Sequence, residues 1–160
     1  MDKKLKERID QQVQLEYESA YIYMDMAIYF SDHGWDGFSH WMYQQYHEEI
    51  EHAENMMHFL LECGEVPVLK DIKAPKTEYK GVLEIFQAAY KHEQAVTKSI
   101  HEIVSMAIDA KDYATENYFR KFVDEQVEEE DTVSGIVDRL KIAKNDAGFL
   151  HIDFELSQRK

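Results

Sequence analysis

Apolar residues recur at steps of three and four along four long blocks of the chain, the pattern of amphipathic helices that share a core. The four blocks lie near residues 4–32, 36–63, 81–110 and 113–144. Turn-forming positions separate them, namely Gly34, Gly37, Gly64, Gly81 and a tight turn around Lys111 and Asp112. No block shows the alternation typical of a strand. The pattern therefore predicts an all-α fold with four long helices.

The joins between the blocks predict the topology. The first and third joins are short, so each flanking pair of helices is expected to form an antiparallel hairpin. Residues 64–80 carry both prolines and are long enough to cross the bundle end to end. The apolar tail "FLHIDFELSQRK" after Gly148 is expected to pack as a short fifth helix against this subunit or a neighbour. We predict one domain over residues 1–160, a four-helix bundle with a long crossover and a short C-terminal helix.

Composition and charge narrow the class of protein. The chain has 160 residues, 44% of them hydrophobic, and a single cysteine, Cys63, which fits a folded protein in a reducing compartment. No apolar run approaches the roughly 20 residues of a membrane helix, and the charged start is unlike a signal peptide. The net charge of −14 argues against nucleic acid and favours cations as partners. We expect a cytoplasmic protein with no membrane or nucleic-acid partner.

Every predicted helix has an acid in the stripe of residues that faces the core. Each lies three or four residues from its neighbours in the stripe, so it falls in phase with the apolar face. The four acids are Glu16, Glu49, Glu93 and Glu129. A carboxylate buried alone is costly, and four that meet would repel one another, so a positive partner is expected among them.

The second helix adds an imidazole to this set. His52 follows Glu49 at i+3 and faces the same side, whereas Glu51 and His47 turn toward solvent. Oxygen-rich ligation with one imidazole suits Fe(II), Mn(II) or Zn(II), and two cations about 3.5–4 Å apart can share bridging carboxylates. A His-Glu-x-x-His zinc motif is excluded because position 51 is glutamate. The pattern predicts a dinuclear metal site inside a helical bundle.

The sequence resembles the ferritins, specifically the haem-free ferritins of bacteria, over essentially its whole length. The matching segments are "QLEYESAYIY", "HEEIEHA", "AYKHEQ", "FVDEQVEEE" and "AGFLHIDFEL". The resemblance implies iron storage with ferroxidase activity. Two Fe(II) ions are oxidised by oxygen or hydrogen peroxide, and Fe(III) collects as a hydrated oxide inside a homo-oligomeric shell of 24 subunits.

The resemblance also implies roles for individual residues. One iron takes Glu16, Glu49 and His52, and the second takes Glu93 and Glu129, with Glu49 bridging. Gln126 stands beside the second iron as a hydrogen-bonding group or weak ligand, and Tyr23 matches a tyrosine near the first iron that could supply an electron. A third iron site on the cavity side matches Glu48, Glu125 and Glu128, with Glu129 shared.

Departures from related proteins limit what the resemblance implies. Bacterioferritins place a second Glu-x-x-His in helix four and a haem-ligating methionine after the bridging glutamate, where this chain has Gln126, Glu129 and Ile50. We therefore expect no haem. Lys121 stands where some haem-free ferritins carry a tryptophan near the centre.

Simpler interpretations remain open for several of these residues. Glu48, Glu125 and Glu128 also fit a solvated acidic face, and the seven histidines other than His52 are expected at the surface. Three functional classes remain: an iron-storing ferroxidase shell, a small di-iron oxidase or peroxide reductase with fixed metals, and a non-catalytic acidic bundle. A twelve-subunit mini-ferritin is a weaker variant, and native mass distinguishes these assemblies.

Overall fold

The computed structural model describes residues 1–75 and 78–160. All regular secondary structure in these residues is α-helical. Its five helices are α1 (Lys3–Asp32), α2 (Asp36–Glu62), α3 (Val82–Asp109), α4 (Tyr113–Ala143) and α5 (Asp146–Leu156). The predicted four-helix bundle with a long crossover and a short fifth helix is confirmed. Each long helix begins and ends within one residue of its predicted bounds. None of the described helices is long and apolar enough to cross a membrane.

Capping residues explain why the helix ends could be read so closely. Asp2 caps α1 by accepting from the backbone N–H of Lys4 at 3.0 Å, and Asp112 caps α4 in the same way. After α2, Gly64 adopts a φ of +77°, a conformation that side chains with a Cβ disfavour. This lets the chain reverse and bring the N–H of Glu65 to the carbonyl of Leu60 at 2.9 Å.

The crossover between α2 and α3 lies against α1. The N–H of Val68 donates to Asp10 Oδ1 at 3.1 Å, and Gln14 Nε2 donates to the carbonyl of Asp71 at 2.9 Å. These contacts guide the chain along the bundle, so that α3 starts at the end of the bundle where α1 ends and α2 starts. Residues 76 and 77 of the predicted crossover lie outside the described residues.

The core consists of two apolar clusters with a polar layer between them. One cluster uses the C-terminal half of α1 and the N-terminal half of α2, together with α3, α4 and α5 residues such as Phe86 and Leu140. The other lies toward the opposite end of the bundle and includes Ile9, Leu60 and Phe119. Between the clusters each stripe becomes polar, and the buried groups there include Glu16, Gln45, Glu49, Glu93 and Gln126. We call this level the polar layer.

The helices do not approach one another equally around the bundle. Helices α1 and α2 pack closely, as do α3 and α4, and α1 also packs on α3. Among the described residues, no Cα of α2 lies within 8 Å of a Cα of α4, so long side chains fill the seam between these helices. The polar layer therefore opens most readily through the α2–α4 seam.

Helix α5 closes one end of the bundle by packing on α2 and α4. Ile152 is buried, and Asp153 Oδ1 accepts from the backbone N–H of Phe38 at 2.8 Å. This bond satisfies one of the free N–H groups in the first turn of α2. Leu150 and Phe154 on the same helix remain exposed, which leaves an apolar surface at this end of the subunit.

Candidate metal centre

Helices α1 and α2 bring an oxygen-and-nitrogen donor set together inside the polar layer. Glu16, Glu49 and His52 each offer one ligand atom, and these atoms lie within 4.8 Å of one another. His52 Nδ1 lies 3.6 Å from Glu49 Oε2 and 3.9 Å from Glu16 Oε2. The two carboxylates are only 1% and 4% exposed. The i,i+3 spacing of Glu49 and His52 thus does what the sequence predicts and presents both groups to one point.

Helices α3 and α4 supply the facing half of the layer. Glu93 is fully buried, and Gln126 Nε2 donates to its Oε2 at 3.1 Å. The hydroxyl of Tyr23 donates to Glu93 Oε1, so Tyr23 contacts the residue assigned to the second iron. Gln45 Nε2 donates to Glu129 Oε2 at 3.1 Å. Both facing acids are therefore held by amide or hydroxyl donors.

Burial and mutual repulsion raise the pKa values of carboxyl groups in the polar layer. Burial, then the charge of Glu49, raises the pKa of Glu16 well above its usual range. Burial also raises the pKa of Glu49, and the charges of Glu93 and Glu129 add to the shift. For Glu129, burial followed by the charges of Glu93 and Glu48 raises the pKa to about 7. The layer is thus an environment in which anions are disfavoured until a cation joins them.

Two carboxylate oxygens in this layer have no protein donor. Glu16 Oε2 and Glu49 Oε2 are buried and make no hydrogen bond with any of the described residues, although such groups are normally satisfied. Both face His52 Nδ1 at distances beyond a normal hydrogen bond. Carboxylate oxygens with a free lone pair next to an imidazole nitrogen match the donors that Fe(II), Mn(II) and Zn(II) take. The residues present therefore fit a divalent metal ion.

The raised pKa values predict that binding of a divalent metal releases protons. A ligating carboxylate must be ionised, so a metal has to displace any proton held at low pH. Affinity for Zn(II) is expected to rise with pH up to and through about 7, by about tenfold per pH unit for each proton released. Calorimetric titration at pH 6.5 in buffers of different ionisation enthalpy measures this count. At least one proton per chain is expected, and a count of zero would contradict the prediction.

The three acids assigned to a third site occupy the α2–α4 seam. Glu48, Glu125 and Glu128 line a cavity of about 300 Å³ there, together with His52 and Glu129. Glu125 Oε2 lies 3.4 Å from His52 Nε2, so His52 faces the polar layer with one nitrogen and the seam with the other. Glu128 is exposed. Glu48 is already paired, because Arg159 Nη2 donates to its Oε2 at 2.7 Å.

A hydrogen-bonded chain behind Glu16 was not apparent from the sequence. Gln12 Nε2 donates to Glu16 Oε1 at 2.6 Å, Ser99 Oγ donates to Gln12 Oε1, and Arg8 Nη2 donates to Ser99 Oγ. This chain leaves Oε2 of Glu16 as its free ligand atom. The i,i+4 spacing of Gln12 and Glu16 is a local signal that points to the first bond. The contact with Ser99 crosses from α1 to α3 and has no such signal.

His92 differs from the prediction that it lies at the surface. It is half-buried between α3 and α1, with Nε2 2.7 Å from Ser19 Oγ and its ring edge-on to Tyr23. Burial lowers its pKa. Its position follows from the neighbouring Glu93, which faces the core and brings the adjacent residue to the α1–α3 interface.

Comparisons with known sequences agree with one another. A family model described as a ferritin-like domain matches residues 6–143. A bacterial non-heme ferritin of Bacteroides fragilis is 38% identical over 159 residues, covering 99% of this chain and 99% of that protein. A bacterial non-heme ferritin of Escherichia coli O6:H1 is 34% identical over 152 residues, covering 94% and 92%.

Solved structures give the same result. A crystal structure described as a novel open pore ferritin from the hyperthermophilic archaeon Archaeoglobus fulgidus superposes with a TM-score of 0.98. It is 41% identical and covers 100% of this chain and 99% of that one. A structure described as a humanized archaeal ferritin has a TM-score of 0.98 and 43% identity, covering 100% and 98%.

Proposed function

The chain belongs to the ferritin family, and on that premise we propose that it stores iron and oxidises it. The subunit takes up Fe(II) in the polar layer, oxidises it there, and passes Fe(III) to a mineral of hydrated oxide inside a shell of 24 identical subunits. Residues 1–160 act as one ferritin-like domain, and the protein works in the cytoplasm.

One observation carries the proposal: all four long helices deliver a carboxylate to the same level of the core. Buried acids with unpartnered oxygens and raised pKa values are costly in a metal-free protein. Their retention at this level is explained if cations bind among them. The break between the two apolar clusters occurs at the same level. The layer therefore differs from the rest of the core because its buried side chains are polar and can bind cations.

The ligand assignment follows the two halves of the layer. Glu16, Glu49 and His52 bind the first Fe(II), and Glu93 with Glu129 bind the second. Glu49 bridges the two ions. Its location supports this role, because its Oε2 faces His52 and because burial, with the charges of both facing acids, raises its pKa.

The chemistry consists mainly of positioning. Carboxylate oxygens stabilise Fe(III) more than Fe(II), so ligation by several of them favours oxidation. Two Fe(II) ions held together each give one electron to a single oxidant. With two protons, the pair reduces O₂ to H₂O₂, or H₂O₂ to two waters. Sharing one oxidant between two irons limits one-electron side reactions.

Gln126 on α4 and Tyr23 on α1 both donate to Glu93, which we assign to the second iron. Gln126 fixes Glu93 by donating to its carboxylate and to its backbone carbonyl at 3.2 Å. Tyr23 donates to the other oxygen of Glu93, and burial raises the pKa of its hydroxyl. Tyr23 therefore stays protonated until it gives up an electron, and we propose it as an additional electron donor to the site.

Iron leaves the layer through the α2–α4 seam. Glu48, Glu125 and Glu128 form a third iron site there, with Glu129 shared between this site and the second iron. His52 links the two regions because its two nitrogens face Glu49 and Glu125. The second iron is assigned carboxylates and no imidazole, which makes its site more labile than the first.

Exposed apolar residues support assembly into a shell. Val127 and Ile142 on α4, with Leu150 and Phe154 on α5, are each more than half exposed. Burial of such residues against neighbouring subunits removes apolar surface from water and so favours assembly. The sequence predicts that the apolar tail packs on this subunit or on a neighbour. Ile152 packs on this subunit, whereas Leu150 and Phe154 remain exposed and can contact a neighbour.

The test of storage adds Fe(II) in small steps under air to the purified protein. The oxidation is followed by absorbance, and the iron retained per chain is measured after gel filtration. We expect rapid oxidation, retention far above three ions per chain, and a native mass near 24 times the 19.0 kDa of one chain.

Other outcomes point to the alternative classes. Iron fixed at two or three ions per chain in a small assembly would indicate a di-iron oxidase or peroxide reductase. Twelve chains would indicate a mini-ferritin. Slow oxidation equal to that in buffer, without retained iron, would indicate a non-catalytic acidic bundle and contradict the proposal.

A further inference from the structure

The C-terminal tail, residues 157–160, follows α5 and ends against α2. There the side chain of Arg159 lies over the ring of Trp41, with the guanidinium carbon 4.8 Å from the ring centre. Arg159 Nη1 donates to the carbonyl of Trp41 at 3.4 Å, and His40 Nε2 donates to the carbonyl of Arg159 at 2.6 Å. Three contacts thus hold this residue at one place on α2.

The position brings the guanidinium to Glu48. Arg159 Nη2 lies 2.7 Å from Glu48 Oε2, while the Arg159 side chain is 22% exposed and that of Glu48 is 45% exposed. Ion pairs with this much exposure are worth little and exchange readily with other cations. The pair is therefore well placed but weak, because its geometry comes from the contacts with Trp41 and His40.

Glu48 also lines the seam cavity that leads out of the polar layer. The other acids of that cavity include Glu125 and Glu128, and its volume of about 300 Å³ has room for a hydrated cation. One carboxylate oxygen cannot give the same lone pair to a guanidinium and to a metal ion. A cation that binds Glu48 through Oε2 must first displace Arg159.

We infer that Arg159 is a tethered cation that competes with iron for Glu48 and so limits how readily the third iron site fills. The inference rests on the proposed function, since it concerns the exit path for Fe(III). Arg159 pairs with Glu48 when iron is scarce. It dissociates from Glu48 when iron arrives from the polar layer and binds there. Filling of the third site is therefore coupled to release of the C-terminal tail from Trp41.

The coupling has a measurable size. A ligand that must displace a competing group binds more weakly than it would at the free site. The factor is set by the equilibrium constant with which the competing group binds that site. For a partly exposed ion pair this factor is about 1.5- to 5-fold. Removing the guanidinium is expected to tighten the third site by that factor and to leave the two sites of the polar layer unchanged.

The experiment titrates the purified full-length protein with Zn(II) alone, which binds without oxidation, and follows it by calorimetry. The variants are Arg159→Gln and Lys160→Gln, which remove the same charge from neighbouring positions of the tail. In Arg159→Gln the weakest binding event is expected to tighten about 1.5- to 5-fold, and in Lys160→Gln it is expected to match the parent. Glu48→Gln should weaken that event and so locate it in the seam.

A second readout follows the tail itself. In a Trp35→Phe background, Trp41 is the one remaining indole of the sequence, and its emission reports departure of Arg159. The emission is expected to change only as the weakest Zn(II) event fills, and Arg159→Gln should already show the final emission without metal. Arg159→Lys retains the charge but not the planar stacking group, so it should lie between the parent and Arg159→Gln.

The outcomes separate this inference from the proposed function. If the parent binds the tight pair of ions and all tail variants show the same third affinity and emission, the inference is overturned while the ferroxidase proposal stands. If the parent binds no tight pair, both are overturned. A third event that tightens equally in Lys160→Gln would show a general charge effect and would also overturn the role of Arg159.

Discussion

Glu49→Gln is expected to make the metal-free subunit more stable and to slow oxidation of Fe(II) by at least about 100-fold. The two effects have one cause, because the carboxyl group proposed to bridge the metals is buried and has no donor on Oε2 among the described residues. A neutral amide of the same shape removes the repulsion from Glu16, Glu93 and Glu129. Its N–H groups can also donate to Glu16 Oε2. A gain of about 1–3 kcal/mol is expected.

The stability gain should depend on pH in a defined direction. The folded protein raises the pKa of Glu49 above the ordinary value of 4.5. Below pH 4.5 the carboxyl is protonated in the folded and unfolded chains, so the substitution changes little. As pH rises, the unfolded chain releases the proton first and the parent loses stability until the folded pKa is passed. Thermal unfolding of metal-free parent and variant at pH 4.5 and pH 8 measures the growing difference.

Glu54→Gln is the matched control for this prediction. It makes the same change of charge on the same helix, but Glu54 is exposed and does not line the seam cavity. Its stability should stay within about 0.5 kcal/mol of the parent, and Fe(II) oxidation should be unchanged. A Glu49→Gln protein that is less stable than the parent at pH 8 without metal would show that Glu49 is satisfied by protein groups, against the proposed bridging role.

The helices could be predicted from the sequence because their determinants are local. Caps such as Asp2 and Asp112, and the left-handed Gly64, act within a few residues of the ends they define. The inward acids were predictable for a related reason. At 100° per residue, Glu16 and Glu93 share the phase of their apolar neighbours, and this phase does not depend on other helices.

The features of the site that the sequence does not predict depend on contacts between distant segments of the chain. Ser99 reaches Gln12 across 87 positions of the chain, and Arg159 reaches Glu48 across 111. Neither pair has a periodic pattern that the sequence alone could reveal. The sequence predicts that Glu48 could be a ligand, but only the folded tail shows that a cation of the same chain already binds it.

Gly37 illustrates how one signal can have two meanings. The sequence pattern assigns it, with Gly34, to the break between the first two helices. In the structure it is a buried residue of the first turn of α2, directly beneath α5. A glycine near a helix boundary can mark a turn or a close approach, and the local sequence does not distinguish them. Here Gly37 provides the space in which α5 docks.

Gly37→Ala is therefore expected to dislodge α5. A Cβ at this position would lie 1.8 Å from the carbonyl oxygen of Asp153 and 2.5 Å from its carbonyl carbon. Both are backbone atoms, so rotation of a side chain cannot relieve the clash. The helix has to move away, which exposes Ile152 and breaks the bond from the Phe38 N–H to Asp153. We expect a loss of at least about 2 kcal/mol, measured by thermal unfolding.

Gly135→Ala separates this clash from the general effect of adding a methyl group to a helix. Gly135 lies within α4, and in the part of the chain that the structure describes no atom beyond the adjacent helix backbone lies within 4 Å of a Cβ built there. Alanine at this position should stabilise the protein by up to about 1 kcal/mol. Because α5 also carries Leu150 and Phe154, its displacement in Gly37→Ala should lower the native mass, whereas Gly135→Ala should assemble as the parent does. Equal stability and mass for both variants would mean that α5 does not dock over Gly37.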